Sequence, residues 1–383
     1  MSDDWKTGGF GLYIHWPFCE AKCPYCDFNS HVAQSVNQRR WTRAYCSSIS
    51  QFALEFPHRT LNAIFFGGGT PSLMSSNTIE EILSHISKNW KFSPNIEITL
   101  EANPTSIEAE KFKNFHAAGI NRISIGIQAL NNYDLRRLGR RHNVKDALNA
   151  LEIAQNLFPS VSFDLIYARQ HQTINQWTNE LKQALSLGID HVSLYQLTIE
   201  ENTAFGDRYQ ADKLNGLPNE AIAADMYLVT QNTCEEAGLV RYEISNHAKP
   251  GAESKHNLIY WCYGDYVGIG PGAHGRLTLN DVRYATEAKK MPDDWLSAIE
   301  TGIDHTIRMP LSSLEQAYEY LLLGLRIREG IDQKRYALLA GKKLSEIKIE
   351  KLTNLGLITN IKDRISVTNQ GLLVLNSIVK NLL

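Results

Sequence analysis

Cys19-Glu20-Ala21-Lys22-Cys23-Pro24-Tyr25-Cys26 follows a short apolar run, Leu12-Tyr13-Ile14-His15-Trp16. Three soft thiolates on one loop suit an iron–sulfur cluster, and in a four-iron cube they leave one iron without a protein ligand. A disulfide framework calls for an even cysteine count in a small secreted chain, and a structural zinc site calls for a fourth Cys or His close by. Three core or zinc-bound cysteines are the plainer alternative. Cys19, Cys23 and Cys26 are therefore the candidate metal ligands, and the open iron is where chemistry is expected.

The rest of the 383-residue chain is long enough for a barrel-sized core with an appendage. Its 39 basic and 41 acidic residues nearly cancel, so no nucleic-acid partner is expected. No run of about 18 apolar residues suggests a membrane span. Met1-Ser2-Asp3-Asp4-Trp5-Lys6 lacks the apolar centre of a signal peptide, and a cytoplasmic location is expected. In a reducing compartment the scattered Cys46, Cys234 and Cys262 read as core or surface thiols.

From residue 10 to about 245, short β-rich runs alternate with segments of helical period, the pattern of repeated βα units. Strands are expected at Gly11–Trp16, Ala63–Phe66, Ile96–Glu101, Arg122–Ile127, Ser162–Tyr167 and His191–Leu197. Helices are expected at 38–55, 78–90, 106–118, 145–156, 174–187 and 219–237. Six such units form a partial barrel or a doubly wound sheet, and in both, ligands gather at the carboxyl ends of the strands. Residues 246–310, rich in Gly, His and aromatics, read as an irregular connecting segment with functional loops. From 311 to 383, helices and an expected hairpin, Leu357-Ile358-Thr359 with Ile365-Ser366-Val367, suggest a mostly helical, winged-helix-like packing or docking domain.

Candidate binding groups recur at the strand ends. Phe65-Phe66-Gly67-Gly68-Gly69-Thr70-Pro71-Ser72 is either a plain tight turn or a place where backbone comes close to a ligand. Glu101 is either a helix-start charge or an acceptor for hydroxyls or an amine. Gln128, Arg140 and Asp164 add an amide, a bidentate cation and another carboxylate. His256, in His256-Asn257-Leu258-Ile259-Tyr260-Trp261, either hydrogen-bonds in the core or ligates iron, with Tyr and Trp covering a porphyrin face.

Together with Tyr13–Cys19, Leu100–Pro104, Leu138–His142, Tyr242–Asn246 and Gly268–His274, these stretches resemble the HemW branch of the oxygen-independent coproporphyrinogen III oxidase family, within the radical S-adenosylmethionine (SAM) enzymes. The resemblance runs nearly end to end. It implies a partial (βα)6 radical SAM barrel over residues 1–245, a [4Fe-4S] cluster, SAM bound at the open iron and cleaved to a 5′-deoxyadenosyl radical, and a tetrapyrrole. By the same resemblance Tyr13, Gly68, Gly69, Thr70, Glu101, Gln128, Arg140 and Asp164 surround SAM, and His256 in the HNxxYW segment binds heme. Heme-accepting proteins such as respiratory enzymes, an electron donor and a weak membrane-surface contact during delivery are the implied partners.

Two features bear on the branch. The oxidase pattern continues to a fourth cysteine two residues after the third, where this chain has Phe28. The alternative activity, oxidative decarboxylation of coproporphyrinogen III, is disfavoured on that ground and on His256-Asn257. One stretch departs from the family: Asp164-Leu165-Ile166-Tyr167-Ala168-Arg169-Gln170-His171-Gln172 lacks the usual Pro-Gly before its last Gln, so its turn is expected to change. His171 is expected to face solvent.

Overall fold

A computed structural model describes residues 3–383. The expected strands form as β1 (Phe10–Trp16), β2 (Thr60–Gly68), β3 (Lys91–Ala102), β4 (Arg122–Gln128), β5 (Ser160–Tyr167) and β6 (His191–Gln196). They pair parallel in chain order, each joined to the next through helical crossovers. Side chains alternate between faces along each strand. On β1, Leu12, Ile14 and Trp16 are fully buried in the core, which leaves Tyr13 and His15 on the opposite, inner face. Trp16 meets Trp41 of the Gln38–Glu55 helix at 6.1 Å, and Trp41 stacks on Trp295 at 5.6 Å. Each buried aliphatic or aromatic side chain of this kind contributes about 1.5–3 kcal/mol.

Local signals start the helices where the sequence places them. Asn37 accepts from the Arg40 N–H at the head of the first long helix. Asn143 with Asp146 and Thr173 with Gln176 form reciprocal capping boxes for Val144–Leu157 and Ile174–Leu185. The helix expected over 106–118 is instead two pieces, Ser106–Ala109 and Phe112–Ala117. In the first piece Glu108 turns inward to accept from the Asn103 N–H at 3.0 Å and from the Ser72 hydroxyl.

Residues 246–310 differ from the irregular segment expected. They hold a short strand Asn246–Ala248, a helix Lys255–Trp261, strands β7 (Asp265–Ile269), β8 (His274–Leu279), β9 (Val282–Ala288) and β10 (Thr306–Pro310), and a helix Pro292–Thr301. β7 pairs parallel with the far edge of β1, in register Tyr13 to Gly268, and β8 to β10 follow antiparallel. The sheet therefore runs β10-β9-β8-β7-β1-β2-β3-β4-β5-β6, then Asn246–Ala248 and Val240–Arg241. One of the glycines that read as loop punctuation, Gly268, serves close packing inside the sheet: a Cβ there would lie 2.0 Å from the His274 carbonyl oxygen. Covering β1 in this way also removes an open parallel edge.

The C-terminal residues form a second core, built on Tyr320, Leu321, Ile331, Leu352, Ile365 and Val379, to which Tyr263 contributes from the preceding segment. Its hairpin pairs Ile358 with Val367, and Lys362 and Asp363 turn the corner at φ 50° and 65°. The final expected helix is split into Asn369–Leu372 and Leu375–Leu382. Arg335 ties this unit to the N-terminus, pairing with Asp4 at 2.8 Å and donating to the Cys262 carbonyl at 2.8 Å. No helix among the described residues is long and apolar enough to cross a membrane.

Candidate functional site

A pocket of about 160 Å³ opens at the carboxyl ends of β2 to β5, with the cysteine loop as one wall. Cys19, Cys23, Cys26, Gly68, Gly69, Thr70, Glu101, Gln128, Arg140 and Asp164 all line it. Chain positions spread over some 145 residues thus converge because each lies on, ends or follows a neighbouring parallel strand.

The three thiols do not converge on a single point: among the described residues no group of three or more His, Cys, Asp or Glu could hold one metal ion. A cubane cluster takes each thiolate on a different iron and so does not require the three sulfurs to meet at one point. Two of the sulfurs already accept hydrogen bonds, Cys19 from the Thr70 hydroxyl at 3.4 Å and Cys23 from Arg140 Nη1 at 3.3 Å. Burial pushes the Cys19 and Cys26 thiols up, and the Thr70 hydroxyl opposes this at Cys19.

The glycine turn is more than a tight corner. Gly68 sits at φ 110°, and a Cβ there would lie 2.5 Å from the His15 ring, so backbone is exposed where a side chain cannot fit. Its N–H donates to Glu101 Oε2 at 3.1 Å. Burial first, and the nearby Asp164 second, push the Glu101 carboxyl up to about 8. Burial also raises Asp164 to about 6, against hydrogen bonds from Ser193 and Ser124. Two carboxyls side by side, in a wall that also holds Arg140 and Lys22, suit a ligand that donates hydrogen bonds or carries charge of both signs.

Gln128 adopts φ 74°, a left-handed conformation unusual for a side-chain-bearing residue, and its buried Oε1 has no partner. Arg140 reaches from the loop after β4 to Asn103 Oδ1 at 2.6 Å and the Gly126 carbonyl at 2.8 Å, and its Nε is unsatisfied. An unmade acceptor and an unmade donor on two residues that line one pocket fit a ligand bearing both hydrogen-bonding signs, as an amino acid or nucleoside does. Asn103 was not singled out in the sequence, although it stands two residues beyond Glu101; it links Arg140 to Thr70 and Glu108.

A second cavity, about 700 Å³, adjoins the first and shares Lys22, Phe28, Gly68 and Glu101 with it. Tyr13 lines this larger space, bonded to His15 Nδ1 at 3.0 Å. His256 does not line it. The ring is 2% exposed, stacks on Phe65 at 4.6 Å, and lies behind Tyr260, whose hydroxyl bonds Nε2 at 2.5 Å. Burial lowers its pKa to about 3. The core role weighed for His256 is the one its surroundings describe, because the short helix Lys255–Trp261 turns Tyr260 toward the cavity and His256 toward β1 and β2.

The turn after β5 keeps a left-handed residue despite the missing Pro-Gly: His171 takes φ 62° and Ala168 φ 56°. His171 is exposed, as expected, and its N–H donates to the Gly216 carbonyl at 2.6 Å. Arg169 is buried and paired with Asp134 at 2.9 Å and with Glu180, which holds the turn behind Gln128.

Comparison with known proteins agrees with this arrangement. The Radical SAM superfamily matches residues 13–184 and the HemN C-terminal domain matches residues 311–374. The chain is 36% identical to the heme chaperone HemW of Haemophilus influenzae and 34% identical to that of Escherichia coli, covering 98% of both chains in each case. It is 39% identical to the mitochondrial radical S-adenosyl methionine domain-containing protein 1 of Bos taurus, over 85% of this chain and 75% of that one. In three dimensions it is similar to the coproporphyrinogen III oxidase HemN of E. coli, with a TM-score of 0.82, 20% identity and coverage of 100% of this chain and 92% of the other, a likeness of fold. Identity of this extent over nearly the whole length places the chain in the HemW family of the radical SAM superfamily.

Proposed function

We propose that this protein is a heme chaperone that retains a radical SAM core and transfers heme to acceptor proteins such as respiratory enzymes. Near-complete likeness to two bacterial heme chaperones carries this reading. In it, Cys19, Cys23 and Cys26 would hold a [4Fe-4S] cluster, with SAM bound beside it. Gly68, Gly69 and Thr70 present backbone to the amino-acid end of SAM, Arg140 and Gln128 supply the donor and acceptor left unmade in the pocket, and Glu101 and Asp164 accept from its hydrogen-bonding groups. The cluster, when bound, supplies an electron to SAM; the chain's residues orient the ligand and shield it from water.

The oxidase reading shares the fold, and at 20% identity that likeness does not extend to the reaction. Phe28, where the oxidase pattern has cysteine, is 56% exposed and lines both cavities. Anaerobically reconstituted protein is expected to bind heme stoichiometrically and to form no protoporphyrinogen from coproporphyrinogen. Turnover of the porphyrinogen would overturn the assignment.

A further inference from the structure

The large cavity contains an imidazole that no part of the reading above uses. Its walls combine aromatic rings with polar and charged side chains, and its volume falls within the range of about 300–1,000 Å³ common for ligand cavities. Tyr260 and Tyr266 sit with ring centroids 4.3 Å apart on one side, and the exposed Phe28 lies at the rim. Two of the lining residues are histidines, His15 and His274. His15 is committed at both nitrogens, Nδ1 to the Tyr13 hydroxyl at 3.0 Å and Nε2 to the Asn29 carbonyl at 2.9 Å. His274 is exposed and, among the described residues, makes no side-chain hydrogen bond or ion pair.

His274 is also held in place by its backbone. It opens β8, directly after the turn Gly270-Pro271-Gly272-Ala273, where Gly270 and Gly272 take φ 111° and 72°. A Cβ on Gly270 would lie 2.3 Å from the His15 carbonyl oxygen, and Asn29 Nδ2 donates to the Pro271 carbonyl at 2.9 Å and the Lys290 carbonyl at 2.8 Å. The turn is thus clamped against the cysteine loop, and a free imidazole on a rigid strand end is a good metal ligand. Lys22 and Lys290 line the cavity as cations for carboxylate side chains, Lys290 also paired with Glu287 at 3.2 Å, and Asp27 and Glu201 line it too.

We infer that His274, rather than His256, provides the protein ligand to heme iron, in the cavity that borders the SAM pocket across Gly68 and Glu101. The inference rests on the heme-chaperone reading and names the residue and the cavity within it. His256 could reach a macrocycle only after Tyr260 left its hydrogen bond and its place in the wall. The free His274 needs no such rearrangement.

The test is hemin titration of full-length, anaerobically reconstituted protein followed by the Soret band, beside His274→Ala and His256→Phe. His274→Ala is expected to weaken binding at least tenfold and to lose the spectrum of an imidazole-ligated heme, while the cluster absorbance stays at the wild-type value. Added free imidazole is expected to restore that spectrum in His274→Ala, which a general loss of structure would not allow. His256→Phe, which keeps an aromatic ring against Phe65, is expected to bind within about twofold of wild type with the same spectrum. If wild type binds heme and His274→Ala matches it in affinity and spectrum, His274 is not the ligand and the chaperone reading survives. If His256→Phe alone loses the ligated spectrum, the assignment belongs to His256. If wild type binds no heme, both the assignment and the reading fall.

Discussion

Replacing Glu101 by Gln is expected to stabilise the SAM-free protein, increasingly as the pH rises. Burial and Asp164 hold the folded-state carboxyl at about 8, against the ordinary value of 4.5 that the unfolded chain regains. Between those limits the folded state binds more protons than the unfolded one, so stability falls as pH rises through the window and is fully retained only below it. At about 1.4 kcal/mol per pKa unit, ionisation of Glu101 in the unfolded chain costs folding about 3 kcal/mol at pH 7 and about 4–5 kcal/mol at pH 8.5, and less than about 0.5 kcal/mol at pH 4.5. Glutamine keeps the shape and an acceptor for the Gly68 N–H but cannot ionise. Urea unfolding followed by tryptophan fluorescence at pH 5, 7 and 8.5 reads the effect. With a slope of a few kcal/mol per molar, the midpoint of the variant should exceed that of wild type by roughly 1 M at pH 7 and by little at pH 5. Parallel pH profiles for the two proteins would refute the reasoning, because they would mean that Glu101 is solvated in the empty pocket. The carboxyl that costs stability there is the one a cationic ligand would favour, so the variant trades ligand binding for stability.

Two further outcomes follow from the fold. His171 holds a left-handed φ of 62°, so His171→Gly is expected to raise the thermal midpoint, by up to about 1 kcal/mol of stability, measured by calorimetry; a lower midpoint would mean that the ring's packing beside Gly216 outweighs the backbone cost. Asp265, fully buried, accepts from Arg59 at 2.7 Å and from the Thr278 N–H at 2.6 Å and faces Arg283 at 3.3 Å. Asp265→Ala leaves two guanidiniums without their carboxylate and is expected to cost about 3–5 kcal/mol in urea denaturation, with an unchanged midpoint counting against a structural ion cluster.

The sequence by itself determined whatever depends on neighbours along the chain. The cysteine loop, the glycine turn and the six βα units were legible because thiolate spacing, left-handed backbone and apolar periodicity are local properties. The approach of Glu101, Gln128, Arg140 and Asp164 to one pocket was legible one step further on, since parallel strands bring their carboxyl ends together whatever their separation in sequence. Tertiary structure alone decided the rest. β7 joins β1 across some 250 residues, and no local pattern announces that partner, so Gly268 and Gly275 read as loop. The direction of His256 was equally hidden: a seven-residue helix can turn either face inward, and only its contact with Phe65 and Tyr260 sends His256 into the core. His274 stood in a stretch already noted, yet its freedom became visible only once Asn29 and His15 were seen to clamp the turn before it. Local covalent and steric rules are written residue by residue, whereas burial and the pairing of distant edges are set by the folded chain as a whole.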